Sequence, residues 1–372
     1  MRSIKMVDLH KQYLRIKTEI DKAIEEVLAS TAFIQGPQVA EFAEALAKYV
    51  GVDKVIPCAN GTDALQIAMM ALDLKPGDEV IVPVHTYVAT AEVIALLGLI
   101  PVFVDVDEDT FNINTGQIAK SITKKTKAIV PVHLYGQCAN MEPILQLAAD
   151  HKLHVIEDAA QALGAEYTFS DGGRRKAGTM GIVGTTSFFP SKNLGCYGDG
   201  GAIFTNDRVL AEKVKMIANH GQRIKYHHDI IGVNSRLDTL QAAILQVKLK
   251  YLDLYTEARN KVADYYDKNL ITDRLQIPAR AENSTHVFHQ YTVKVNGSHR
   301  EDFQKYLTSN NIPSMIYYPV PLHFQKAYRR NGFEEGSFPV TERLSKSVIS
   351  LPIHTEMDAD ELASISDTIN KF

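Results

Sequence analysis

Cysteine is scarce, basic charge is in deficit, and no apolar run is long enough to span a membrane; each absence narrows what the chain can be. Among 372 residues only Cys58, Cys138 and Cys196 carry a thiol. Three thiols, odd in number and far apart, exclude a disulfide framework and suit a reducing compartment. Forty Lys and Arg stand against 44 Asp and Glu, a formal net charge of −4, so no basic surplus exists to displace counterions from nucleic acid. No stretch approaches the roughly 20 apolar residues of a spanning helix, so no membrane partner is expected. Met1-Arg2-Ser3-Ile4-Lys5 lacks the apolar core of a secretion signal. A cytoplasmic location is therefore expected, and the sequons at Asn60, Asn283 and Asn296 read as chance matches.

Several chemical signatures are missing too. There is no Walker A sequence, no G-x-G-x-x-G fingerprint, no G-x-S-x-G elbow and no papain-like cysteine context. Gly178 to Gly184 resembles a dinucleotide loop only superficially. His151 with His154, and His227 with His228, have no Cys or carboxylate company at ligand spacing, so no metal is expected.

What remains has an ordinary globular composition, 45% hydrophobic and 23% charged, which excludes global disorder. At roughly 150 residues per domain the length suggests two domains. No internal repeat is visible. Short β-branched runs at Glu79–Pro83, Pro101–Asp105, Ala128–Pro131 and His154–Asp158 alternate with helical spacing at Thr62–Leu72, Ala89–Leu97 and Met141–His151. That alternation predicts right-handed βαβ crossovers and a mainly parallel sheet covered on both faces. Thr185–Phe189 and Gly201–Thr205 read as an antiparallel pair at the edge of that sheet. A helical stretch over Leu237–Leu254 leads into a smaller α+β region rich in proline. The division expected is a large domain over 1–249 and a small one over 250–372, with the N-terminal helix a candidate to pack on the latter.

In open α/β sheets ligands bind beyond the carboxyl ends of the strands. Asp158 ends one such run, where a carboxylate either caps the following turn or faces a ligand. Lys192, in Ser187-Phe188-Phe189-Pro190-Ser191-Lys192-Asn193-Leu194-Gly195, is either a snorkelling surface lysine or a Schiff-base lysine whose neutral amine needs an apolar surround. Asn60-Gly61-Thr62-Asp63 follows a strand-like Val55–Ala59 and opens a helix. Its amides suit either a plain N-cap or a phosphate.

Taken with Tyr87 in Pro83-Val84-His85-Thr86-Tyr87-Val88-Ala89-Thr90, Glu157-Asp158-Ala159-Ala160-Gln161, Gly198-Asp199-Gly200-Gly201-Ala202 and Gly232-Val233-Asn234-Ser235-Arg236, these pieces make six ordered motifs. They resemble the DegT/DnrJ/EryC1/StrS family of nucleotide-sugar aminotransferases, and the resemblance spans nearly the whole chain. It implies the aspartate-aminotransferase fold (fold type I) with a mainly parallel mixed sheet, pyridoxal 5′-phosphate (PLP) as cofactor, and a homodimer with shared active sites. By the same resemblance Lys192 carries the cofactor and then shuttles the proton, while Asp158 pairs with the pyridine nitrogen. Gln161 lies near the ring oxygen, Tyr87 stacks on the ring, and Gly61, Thr62 and Ser187 hold the phosphate. Asn234 reaches that phosphate from the second subunit. Relatives that remove a sugar hydroxyl replace the lysine by histidine, so Lys192 implies transamination.

Within the family, His220-Gly221-Gln222, Tyr226-His227-His228 and Gly232 to Gln241 are most similar to the branch acting on UDP-2-acetamido-2-deoxy-3-oxo-glucuronate for O-antigen and cell-surface polysaccharide. Glutamate is the donor implied there, leaving as 2-oxoglutarate. Arg236 is the candidate for the sugar carboxylate, because a planar guanidinium binds carboxylates in a fork; a structural salt bridge is the alternative. Tyr317, Tyr318 and His323 match a segment that borders substrate, although position 317 is often histidine in relatives. A dTDP-linked 3-keto or 4-keto 6-deoxyhexose is the alternative substrate, and a non-catalytic PLP-binding regulator the alternative of another class.

Overall fold

Seven strands form the central sheet of the computed structural model, which describes residues 4–271, 273–297 and 299–372. Met1 to Ser3 and Ser298, which entered the export and sequon arguments, lie outside them. In chain order the strands are β1 (Lys54–Cys58), β2 (Glu79–Pro83), β3 (Ile100–Val104), β4 (Thr126–Ile129), β5 (His154–Asp158), the hairpin β6 (Glu166–Thr168) and β7 (Arg174–Lys176), then β8 (Val183–Ser187) and β9 (Gly201–Thr205). The sheet runs β1-β9-β8-β5-β4-β2-β3, with β6 and β7 apart from it. Pairs from β8 through β3 are parallel; β9 runs antiparallel to both β8 and β1.

Strand alternation explains why both faces are covered. Val80 and Val82 enter one core with Leu65, Ile67, Phe103 and Ile156, while Ile81 enters another with Val104, Ile144, Val155 and Tyr167. The expected parallel core is present, with β2 and β5 at the expected bounds. Two expectations need correction. The β8–β9 pair is interior rather than at the edge, because β1 adds to β9 and its Val55 is covered by Phe42 and Leu46 of the helix Pro37–Val50. The stretch Leu237–Leu254 is two helices, Thr239–Leu249 and Leu252–Asn269. The first closes on tightened bonds, Lys250 N to Val247 O and Tyr251 N to Lys248 O, an i→i+3 turn that stops it.

Further along lie the ribbon β10 (Gln222–Ile224) with β11 (His227–His228) and the antiparallel sheet β12 (Leu275–Gln276), β13 (Tyr291–Val295) and β14 (Val348–Leu351). The latter packs with Tyr266, Phe288, Phe303 and Ile365 into a core of its own. The helix Leu9–Arg15 reaches that region through Gln12 to Thr355, Lys11 to Glu361 and Arg15 to Glu356. A tighter tie comes from Asp105, just past β3. Its carboxylate accepts from Val340 N at 2.8 Å, Thr341 N at 2.9 Å and the Thr341 hydroxyl at 2.7 Å, so it caps the helix Pro339–Ser347 from across the fold.

Candidate active site

Parallel strands put their carboxyl ends on one side, and there β5 ends in Asp158, β8 in Ser187, and β2 runs on toward His85 and Tyr87. On β5 the side chains alternate. Glu157, fully buried, turns to the opposite face, where it accepts from the amides of Gly178, Met180 and Gly181 and from His133 Nε2 at 2.8 Å. His133 Nδ1 accepts from Ala139 N, so its proton sits on Nε2. This network moors β5 to the segment that enters β8.

Asp158, only 6% exposed, holds its carboxylate with two donors: the Thr90 hydroxyl at 2.8 Å on Oδ2 and the Ala160 amide at 3.1 Å on Oδ1. Lys192 is near enough to feel that charge. Burial pulls its amine down to about 8 from an ordinary 10.5, against the opposing pull of Asp158. A lysine with a substantial neutral fraction near pH 8 is a usable nucleophile, which a snorkelling surface lysine is not.

Gln161 braces the neighbouring loop. Its Oε1 accepts from Tyr135 N at 2.8 Å, and its Nε2 donates to the Tyr318 hydroxyl at 3.2 Å. Tyr135 donates its proton to the Tyr317 carbonyl, so His85 Nε2, 3.2 Å away, is the donor to Tyr135. Burial lowers the His85 pKa to about 4 and raises that of Tyr135, so both stay neutral. Tyr87 is 55% exposed, with its ring 6.1 Å from that of Tyr318. An exposed aromatic face there is available to a planar ligand, an exposure that does not fit an ordinary core tyrosine.

At the helix Gly61–Ala71, Asn60 accepts from Asp63 N at 2.8 Å, so the cap is present. Helix geometry leaves the Gly61 and Thr62 amides without intrahelical partners. A Cβ on Gly61 would lie 2.8 Å from the Ser187 Cβ; glycine is what lets the helix start lie against the end of β8. Amides, dipole and hydroxyl meet at one spot, a geometry that suits a phosphate.

The remaining predicted residues lie elsewhere. Asn234 is exposed, in an isolated bridge with Asn219, and the adjacent Ser235 accepts from Ala59 N. Arg236 lines a groove along β1 with Glu44, Lys54 and Arg223, and forms no ion pair among the described residues. His323 is 1% exposed, bonded to Glu342 at 3.2 Å and packed against Phe324 and Phe338. That is a core position rather than a cleft. Thr90, Tyr135, His85 and Glu157 were given no role by sequence reasoning; Thr90 and His85 lie in the Tyr87 motif and Glu157 in the Asp158 motif, while Tyr135 carried no signal.

A Lys–Asp pair, an exposed tyrosine ring and an anion-ready helix start fit PLP together. Lys192 would attach it, Asp158 would face its ring nitrogen, and Gly61, Thr62 and Ser187 would take its phosphate.

The family model described as the DegT/DnrJ/EryC1/StrS aminotransferase family matches residues 14–370. A UDP-2-acetamido-2-deoxy-3-oxo-D-glucuronate aminotransferase of Pseudomonas aeruginosa is 47% identical over 97% of this chain and 98% of its own. A protein of Geobacillus stearothermophilus named as a pleiotropic regulatory protein is 44% identical over 100% and 98%. A dTDP-3-amino-3,6-dideoxy-alpha-D-galactopyranose transaminase of Aneurinibacillus thermoaerophilus is 42% identical over 99% of each chain. Among solved structures, DesV of S. venezuelae superposes with a TM-score of 0.95 at 38% identity, covering 100% of this chain and 98% of that one. The Bacillus subtilis protein NtdA with bound cofactor PMP gives 0.87 at 33% identity, covering 95% and 80%.

Proposed function

The chain belongs to the DegT/DnrJ/EryC1/StrS aminotransferase family, as a PLP-dependent enzyme acting on nucleotide-linked keto-sugars, and we propose that its substrate is UDP-2-acetamido-2-deoxy-3-oxo-glucuronate. The 47% identity to the Pseudomonas aeruginosa enzyme over almost the full length carries this reading. Glutamate is the amine donor, the product serves O-antigen or another surface polysaccharide, and the reaction takes place in the cytoplasm. We also divide the chain at residue 250 into a large cofactor-binding domain and a small one.

PLP, when bound, supplies an electron-accepting ring and a reactive aldehyde. The chain's own groups do the rest. Lys192 Nζ, largely neutral at slightly alkaline pH, is the attachment point and afterwards carries the proton from the donor Cα. Asp158, held by Thr90 and the Ala160 amide, would face the ring nitrogen and favour its protonated form. Gln161 holds the Tyr318 hydroxyl near Tyr87, and the exposed Tyr87 ring would stack on the cofactor. Gly61, Thr62 and Ser187 bind the phosphate, and Asn234 of a second copy completes it in a homodimer. Arg236, without an ion pair among the described residues, is the cation for the sugar carboxylate, delivered across the same interface. Tyr317 and Tyr318 border the sugar.

Glutamate added to the yellow holoprotein should convert its spectrum to the pyridoxamine form; an unchanged spectrum with every amine donor would favour a sensor, the reading that the Geobacillus relative's name suggests. The Aneurinibacillus relative supports a dTDP-linked 6-deoxyhexose as the second candidate. Arg236→Ala separates the two, since it should cripple turnover of the uronate and spare the 6-deoxyhexose. Equal losses on both would discard the carboxylate assignment.

A further inference from the structure

A second lysine is buried behind the first. Lys248, on the helix Thr239–Leu249, is 1% exposed. Its Nζ donates to the Gly195 carbonyl at 2.5 Å and sits 5.3 Å from the centre of the Tyr197 ring. Among the described residues it has no carboxylate at ion-pair distance. An ammonium held by one carbonyl and one aromatic face is costly to bury, and replacing such groups by apolar ones is often stabilising. Stability alone gives no account of it.

Its partner explains more. Gly195 closes the tight loop that carries Lys192. The loop starts at Phe188, whose carbonyl accepts from Cys196 N at 2.8 Å and from the Cys196 thiol at 3.0 Å. Inside it Lys192 N donates to Phe189 O at 2.8 Å. A Cβ on Gly195 would fall 2.2 Å from the Pro190 carbonyl, so the loop folds back on itself with no slack. Asn193 anchors one flank to Val287 O at 2.8 Å. The helix of Lys248 grips the other: Gln241 accepts from Tyr197 N at 2.8 Å and donates to Tyr197 O.

We propose that Lys248 is a positioning residue of the amino-transfer reaction, clamping the Gly195 carbonyl so that the loop holds the Lys192 amine within the field of Asp158. This rests on the reading of Lys192 as the cofactor's attachment point. Lys192 faces Asp158 from β5 and His289 from the segment before β13; Lys248 faces Cys196 and Tyr197 on the loop and Arg259 on the helix Leu252–Asn269. Removing the Lys248 charge leaves in place Asp158 and His289, the charged and titratable groups that face Lys192. Loosening the loop admits water to Lys192, and a better-solvated amine holds its proton to higher pH.

The test is Lys248→Met, read first by the rate at which cofactor-free protein takes up PLP covalently as pH is varied. The midpoint of that profile should rise by half a unit or more relative to wild type. In the half-reaction with glutamate kcat should fall at least tenfold with KM within twofold, and Lys248→Arg should recover most of the loss. A variant that melts earlier yet keeps the wild-type uptake profile and kcat would overturn the proposal, leaving Lys248 merely structural. Should Lys248→Met fail to fold, Gln241→Ala releases the same loop at Tyr197 and should shift the midpoint upward by a smaller amount; a wild-type profile there overturns the proposal equally. The underlying reading fails separately: borohydride treatment of the wild-type holoprotein would then label a residue other than Lys192, or none.

Discussion

The Thr90 hydroxyl donates to Asp158 Oδ2 at 2.8 Å, joining the helix that follows Tyr87 to the end of β5. Among the described residues it is the only side chain bonded to that carboxylate; the other donor is the Ala160 amide. Thr90 itself is fully buried. Thr90→Val keeps the shape and deletes the donor. Hydrogen bonds to charged groups are worth about 1.5–3 kcal/mol, so PLP should bind about tenfold more weakly, or worse, in a fluorescence titration. Thr90→Ser should regain most of the affinity, and a Val variant that binds as wild type would free Asp158 from this dependence.

Lys192 makes a pH prediction with a definite sign. Burial lowers its amine from 10.5 to about 8, and the neutral form is the one that attacks an aldehyde. Covalent uptake of PLP by the cofactor-free protein should therefore quicken as pH rises through about 8 and level off above it. Below that point the rate should drop close to tenfold per pH unit. A midpoint near 10.5 would mean that the amine is solvated like a surface lysine.

Glu157 should matter for folding more than for chemistry. Three backbone amides and His133 converge on its carboxylate. Glu157→Gln replaces one acceptor by an NH₂ facing those donors. On the scale of a buried unsatisfied group the cost is about 1–3 kcal/mol, visible as a lower midpoint in urea. An unchanged midpoint would show that the mooring of β5 tolerates an amide.

His323 tests the boundary between packing and recognition. With 1% exposure and a bond to Glu342, His323→Gln should cost about 1–2 kcal/mol of stability through the altered pairing. The KM for the sugar nucleotide should stay within about twofold. A large rise in KM without a loss of stability would move the imidazole into the substrate site.

Much of this was legible from local pattern. β2 and β5 lie where their β-branched runs predict, because strands buried on both faces need unbroken apolar side chains. Asp158 and Lys192 stood out for the same local reason, a charged residue at the end of an apolar strand and another in a glycine-rich loop. Thr90 did not, since its partner lies 68 positions away and nothing near Thr90 marks that pairing. The place of β1 outside β9 depends on an antiparallel pairing between segments some 150 residues apart, equally unmarked. The break near residue 250 was hidden because Leu249 and Leu252 keep facing one core, so the apolar spacing continues across it. Arg236 and Asn234 are exposed or half-exposed along one chain, and their proposed roles need a second copy.

Asp105 has a consequence for dissection of the molecule. One carboxylate beside β3 supplies the helix Pro339–Ser347 with acceptors for two amides and a hydroxyl. A fragment cut at residue 250 would leave that helix uncapped in one piece and a buried anion stranded in the other. Each half would start its independent life with a defect that the intact polypeptide does not have, so splitting the gene there should yield two poorly soluble products that recover only when expressed together.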